Sequence, residues 1–390
     1  MNTSQAKQEV DKIYAELMNE PITSPNLYVG ELGILIFLLE YQSFYKIKEE
    51  DLSDRVFHAI QNSLNQEQGA SICSGLSGLA WFLQYCVNRD LIEPSEIENV
   101  QKEIDEVISS QALEYYRESN HDFMHGGDGI TFSLIYRLEA GADVSSLILN
   151  LFNASEENSR TDGNGIYWPE MDDTLGKYKN KEIVSFGLAH GLASKIALMA
   201  KIVKNHPHNK DVYDLLMCTI HFVKQKRLTD EESIFPSCLI DKKPDEHSRL
   251  AWCHGDLAVA YSLCCAGDAL KDKEVMNLGT DIARHSISRS FSSSGVVDTS
   301  ICHGSAGLAM LYLKIFEISG DHSFKQEGIS WLDKTINFNE KYDNLEGYYF
   351  QMPDGRVPVE GLLNGTAGVG LMYLSYLNQE KMSWSECLLL

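Results

Sequence analysis

Residues 302–315 read CHGSAGLAMLYLKI, and the pattern recurs six more times along the chain. The other copies are YVGELGILIFLLEY from Tyr28, CSGLSGLAWFLQY from Cys73, MHGGDGITFSLIY from Met124, AHGLASKIALMAKI from Ala189, CHGDLAVAYSLCC from Cys253 and LNGTAGVGLMYLSYL from Leu363. Each carries glycine at its third position (Gly30, Gly75, Gly126, Gly191, Gly255, Gly304, Gly365), and three places later a small residue: Gly33, Gly78, Gly129, Ser194, Ala258, Gly307 or Gly368. That pair suits a helix start pressed closely against a neighbour. The run behind it is apolar nearly all round, and a helix with no polar face must be buried on every side.

Between these runs lie segments with amphipathic helical spacing, such as SEIENVQKEIDEVISSQALEYY, DVYDLLMCTIHFVKQKR and SFKQEGISWLDKTI. Seven buried helices alternating with amphipathic ones, at repeats of 45 to 65 residues, fit an all-α array closed on itself, with an inner and an outer ring. The chain therefore reads as one domain over 1–390. All inner helices then begin at the same end of the ring, so the seven entrances converge near its axis, where a site is expected. Three long polar linkers, residues 153–182, 226–248 and 339–361, carry Asn, Asp, Gly and Pro with short aromatic patches. They read as turns and brief extended strands, either flanking a substrate groove or serving as plain surface loops.

The chain has 390 residues, of which 33 are Lys or Arg and 56 Asp or Glu, for a formal charge of -23. Phosphate backbones would be repelled, which argues against nucleic acid as a partner; a cationic peptide would be attracted, while acidity that serves solubility alone accounts for the charge equally well. No GxxxxGK[ST] motif supports nucleotide-driven chemistry. The start, MNTSQAKQEVDKIYAELMNEP, lacks a basic region followed by an apolar stretch, and no run of eighteen apolar residues occurs, so a cytoplasmic protein without a transmembrane segment is expected. Nine cysteines in such a chain favour reduced thiols and metal ligands over disulfides.

On the repeat, histidine takes the second position four times (His125, His190, His254, His303) and cysteine the first position three times (Cys73, Cys253, Cys302). Cys253 comes from one repeat and Cys302 with His303 from the next, so adjacent inner helices offer two thiolates and an imidazole. That is a donor set for zinc with a fourth position open. The competing reading is of ordinary buried cysteines and a capping histidine. Cys86, Cys218, Cys238, Cys264, Cys265 and Cys387 lie off this phase and read as packing or incidental residues.

WCHG at 252–255 and CHG at 302–304, set on a seven-fold Gly-x-x-small array, resemble the LanC lanthipeptide cyclases and their LanC-like relatives over nearly the whole chain. The resemblance implies an α/α toroid and Cys253, Cys302 and His303 as ligands of Zn2+. It implies a reaction in which a peptide cysteine adds to dehydroalanine or dehydrobutyrine to form lanthionine or methyllanthionine rings. His190 then matches a histidine for proton transfer, Arg249 an arginine that stabilises an enolate, and Asp122 an acid that orients the histidine. For Arg249 and Asp122 a structural ion pair remains open. His254 departs from the bacterial pattern, which has tyrosine there, and agrees with eukaryotic relatives. It stands either as the proton donor or as a further zinc ligand. Cys73 and His125 share the phase without a match and read as supporting or packing residues.

The implied partners are a dehydrated precursor peptide, a separate dehydratase and an export transporter, in a peripheral membrane-associated complex. Two other readings stay open: addition of glutathione to dehydrated proteins, favoured by His254, and a zinc-containing peptide-binding protein without turnover.

Overall fold

The computed structural model describes residues 2–21, 24–66, 68–172, 180–228, 232–245, 247–338, 348–378 and 383–390. All seven apolar runs are helices: Glu31–Tyr45, Leu76–Asn88, Gly127–Glu139, Leu192–Asn205, Asp256–Leu270, Ser305–Ser319 and Thr366–Asn378. In the second of these every residue from Ser77 to Cys86 is buried, as a helix without a polar face requires. The amphipathic segments form a surrounding ring: Thr3–Asn19, Glu50–Asn65, Pro94–Arg117, Ser145–Glu157, Lys210–Gln225, Lys273–Ile287 and His322–Ile336. Thr3–Asn19 packs on both the last and the first inner helix and so seals the array. The result is an α/α toroid. Among the described residues no helix is long and apolar enough to cross a membrane.

The glycines follow from close approach. The chain entering each inner helix folds beneath its own first turn, so a Cβ at Gly30, Gly75 or Gly255 would lie 2.0 to 2.1 Å from the carbonyl oxygen six residues earlier. At Gly307 and Gly368 an added Cβ would come within 2.0 and 1.9 Å of the oxygens of Ile301 and Leu362. Gly191 and Gly255 carry a second constraint, φ of 114° and 96°, which L side chains rarely adopt.

Backbone hydrogen bonds then join the entrances in a circle. Tyr28 N donates to Cys73 O, Cys73 N to Met124 O, Phe123 N to Ala189 O, Leu188 N to Trp252 O, Cys253 N to Cys302 O, Cys302 N to Leu363 O, and Leu363 N back to Tyr28 O, at 2.8 to 3.2 Å. Under this belt the axis is filled. The rings of Tyr28 and Phe123 meet Trp252 edge-on, at 6.3 and 6.4 Å. The short helix Ser383–Leu388 closes the core from the other side, with Tyr28 Oη donating to Cys387 O at 2.6 Å and Trp252 Nε1 to Leu388 O at 3.0 Å.

The linkers contain the extended segments expected of them. Arg160–Asp162 pairs with Gly165–Tyr167. Glu170–Asp172, Lys181–Ser185, Cys238–Ile240 and Lys243–Pro244 form an antiparallel sheet in that order, and Tyr349–Met352 pairs with Gly355–Pro358. Residues 173–179, 229–231, 246 and 339–347 of those linkers lie outside the described residues.

One buried ion pair braces the fourth inner helix. Lys195 Nζ reaches Asp128 Oδ1 at 2.7 Å and Ser155 Oγ at 2.6 Å, over the faces of Trp168 and Tyr116. Burial pulls the Lys195 ammonium down and pushes the Asp128 carboxyl up, so each depends on the other to stay charged. Lys195→Met is therefore expected to cost roughly 3–5 kcal/mol in denaturant unfolding, and Lys195→Met with Asp128→Asn much less. Equal losses in the two variants would show that packing, not charge, is at stake.

Candidate functional site

Three ligand atoms converge on the mouth of the ring. The sulfurs of Cys253 and Cys302 and a ring nitrogen of His303 all lie within 4.8 Å of one another. The belt sets this distance, because Cys253 N donates to Cys302 O and thereby fixes both Cα positions. His303 Nε2 faces Asp298 Oδ2 at 3.2 Å, which leaves Nδ1 for the sulfurs. A carboxylate behind a histidine is the usual support of a metal ligand.

Hydrogen bonds from Cys302 and His303 hold the Cys253 thiol well below the usual range despite burial, while that thiolate and burial push Cys302 well up. Burial opposes charge on His303, but its hydrogen bonds to Asp298 and Cys253 carry it up to about 9. Two sulfurs and one imidazole fit zinc: tetrahedral bonds of ~2.3 Å to sulfur would set the two thiolates ~3.8 Å apart, within the observed spread. The group could hold a metal ion.

A second group stands beside it. Asp122 Oδ2 bonds His190 Nδ1, and Asp122 Oδ1 accepts from His125 N at 2.7 Å. Burial resists ionisation of Asp122, but His190 holds it below the usual carboxylate range; burial resists protonation of His190, but Asp122 raises it to about 9. The His190 ring stacks on His254 at 5.3 Å. His254 lies outside the three-atom group; burial keeps it below the ordinary imidazole range, and its Nδ1 is buried without a partner among the described residues. Arg249 is exposed, makes no ion pair among the described residues, and lies within electrostatic reach of Cys302 and His254. Cys73 is buried and contributes its backbone to the belt; burial pushes its thiol up to about 12. His125 sits exposed on the rim.

Three residues here lie outside the repeated entrance motif. Asp298 supports His303, and the Phe350 ring lies 5.0 Å from the His303 ring. Glu170, on the sheet, lies near the Asp122–His190 pair, and burial with the charge of Asp122 pushes its carboxyl up to about 7. Only Asp298 had a local signal. Six residues before its entrance glycine it accepts from Ser300 N at 3.0 Å, as Asn120, in the same phase, accepts from Asp122 N at 3.2 Å.

A direct sequence comparison with curated proteins finds no match. Among solved structures, nisin cyclase superposes with a TM-score of 0.76 at 18% identity, over 98% of this chain and 97% of that one. A family 105 glycoside hydrolase of C. acetobutylicum ATCC 824 (13% identity, 94% and 98% of the two chains, TM-score 0.47) and a sugar epimerase from a ruminal bacterium (12%, 98% and 100%, TM-score 0.46) resemble it less. The family model described as lanthionine synthetase C-like protein matches residues 21–389. With that match running through nearly the whole chain, the chain belongs to the lanthionine synthetase C-like family.

Proposed function

We propose that this chain, acting as a single toroid domain, is a zinc-dependent cyclase that adds peptide cysteine thiols to dehydroalanine or dehydrobutyrine. The observation that carries the reading is the meeting of Cys253, Cys302 and His303 at one mouth of the ring, beside the Asp122–His190 pair. The named activity of its structural neighbour, nisin cyclase, supports it.

Cys253, Cys302 and His303 would hold the zinc, which when bound supplies a site where the substrate thiol sheds its proton and waits as thiolate. The C–S bond forms at the β-carbon, and the π electrons of the dehydro residue move onto the carbonyl oxygen as an enolate. Arg249, exposed and unpaired among the described residues, is the cation placed to offset that charge. His190 has Nδ1 engaged by Asp122, so Nε2 delivers the proton that the α-carbon needs. His254, held neutral by burial and stacked on His190, steers that ring. Asp298 fixes the tautomer of His303. Asp298→Asn is expected to weaken zinc binding 10–100-fold in competition with a chromophoric chelator; unchanged affinity would reduce Asp298 to a loop anchor.

The test uses a dehydrated peptide with one cysteine, and glutathione in a parallel reaction. Cyclisation conserves peptide mass but removes the alkylatable thiol, whereas glutathione addition raises the mass. Loss of the thiol at constant mass supports the cyclase. A mass gain alone moves the function to glutathione transfer, which His254 favours. Bound zinc with neither change leaves a peptide-binding protein. On the cyclase reading the protein works in the cytoplasm beside a separate dehydratase and an export transporter.

A further inference from the structure

The hairpin Tyr349–Met352/Gly355–Pro358 stands over the sixth entrance, and its register sorts its side chains. Directly opposed residues, and residues two apart, share a face. Phe350 opposes Val357 and Met352 opposes Gly355, so Phe350, Met352 and Val357 share one face, while Gln351 and Arg356 lie opposite each other on the other. The hydrogen bond from Arg356 Nε to Gln351 Oε1, at 3.3 Å, agrees with that sorting.

An antiparallel hairpin ordinarily turns its apolar face to the core and its polar face to water. Here the apolar face is turned to the candidate metal group, since the Phe350 ring lies 5.0 Å from the His303 ring. Beyond Phe350 it stays uncovered, with Met352 43% and Val357 38% exposed. The placement is fixed. Gln351 N donates to Asp298 Oδ2 at 3.1 Å, and the same oxygen faces His303 Nε2, so one carboxylate sets both the hairpin and the imidazole.

An exposed apolar face beside a site has a chemical meaning that scattered surface valines lack. A thiol reaching the three-atom group carries its own peptide with it, and an extended chain advances ~3.3 Å per residue. A neighbour of that cysteine on the His303 side comes within reach of Phe350, with Met352 and Val357 next on the same face. We propose that the Phe350/Met352/Val357 face is a subsite for an apolar side chain one or two residues from the cysteine presented to Cys253, Cys302 and His303. The proposal rests on the reading of this protein as acting on peptides.

The test is binding, measured apart from turnover. Fluorescent linear peptides with one cysteine, flanked by Leu or by Gly, are titrated by anisotropy into the zinc-loaded full chain. The Leu peptide is expected to bind about tenfold more tightly, ~1.4 kcal/mol, as partial burial of one leucine gives. Met352→Ser with Val357→Ser should remove that preference and leave the affinity for the Gly peptide and the melting temperature unchanged. Leu149→Ser, at an exposed leucine on an outer helix, should leave the preference intact. No preference in the wild type, a preference surviving in the double variant, or a double variant whose only change is in self-association would overturn the subsite. Thioether formation is assayed separately: a protein that prefers the Leu peptide but forms no thioether keeps the subsite and loses the cyclase.

Discussion

Cys302→Ala is expected to leave the protein folded, nearly free of zinc and without measurable thioether formation. The fold should survive because Cys302 serves the belt through its backbone alone: its N–H donates to Leu363 and its carbonyl accepts from Trp252 and Cys253. Alanine keeps both. What disappears is one of the two sulfurs, and Cys253 with His303 is a poor remainder for a tetrahedral ion. At pH 6.5 a free thiol of pKa about 8.5 is only ~1% thiolate, so losing metal activation costs ~10²-fold on ionisation alone. Lost positioning adds to that. Zinc content by mass spectrometry, thiol alkylation and melting temperature together read the result. If the variant keeps one equivalent of zinc, or leaves as little free substrate thiol as the wild type, the metal assignment is wrong.

His190→Asn is expected to lower kcat by 10²–10⁴-fold, the usual contribution of a positioned proton donor, with zinc content unchanged. The pH profile separates this role from packing. Asp122 raises His190 to about 9, so the protonated form is present through neutrality and is lost as pH rises through about 9. Asp122→Asn removes that support, and the alkaline limb of kcat should move down towards the ordinary imidazole value of ~6.5. The same shift contributes to stability. Because the folded value is the higher, the contribution is fully present below ~6.5 and fades as pH rises through about 9. An alkaline limb that stays in place in Asp122→Asn would dismiss the pair as the proton source.

The ring was legible in sequence because its steric demand has a residue identity. Nothing larger than hydrogen fits against the carbonyl under Gly255 or Gly30, so glycine recurs in phase. The sulfurs were legible for the same reason: Cys253 and Cys302 share a phase, and phase sets position around the axis. The belt was not, since an amide and a carbonyl are carried by almost every residue. Phe350 and Glu170 were hidden differently. They sit in linkers outside the repeat and reach the site only through strand pairing, which a single chain of letters does not encode. His254 was left between ligand and proton donor, and its stacking on His190, outside the three-atom group, bears on both.

The circle of hydrogen bonds makes the number of repeats a gauge. Neighbouring seats are rotated by one-seventh of a turn, and that rotation, rather than any local feature of either cysteine, decides how far apart two sulfurs in consecutive seats will stand. Losing or gaining a single repeat would change every such angle at once. An ion held between adjacent seats would therefore close drift in ring size to this architecture, whereas the linkers outside the circle are free to lengthen, shorten and recruit new contacts.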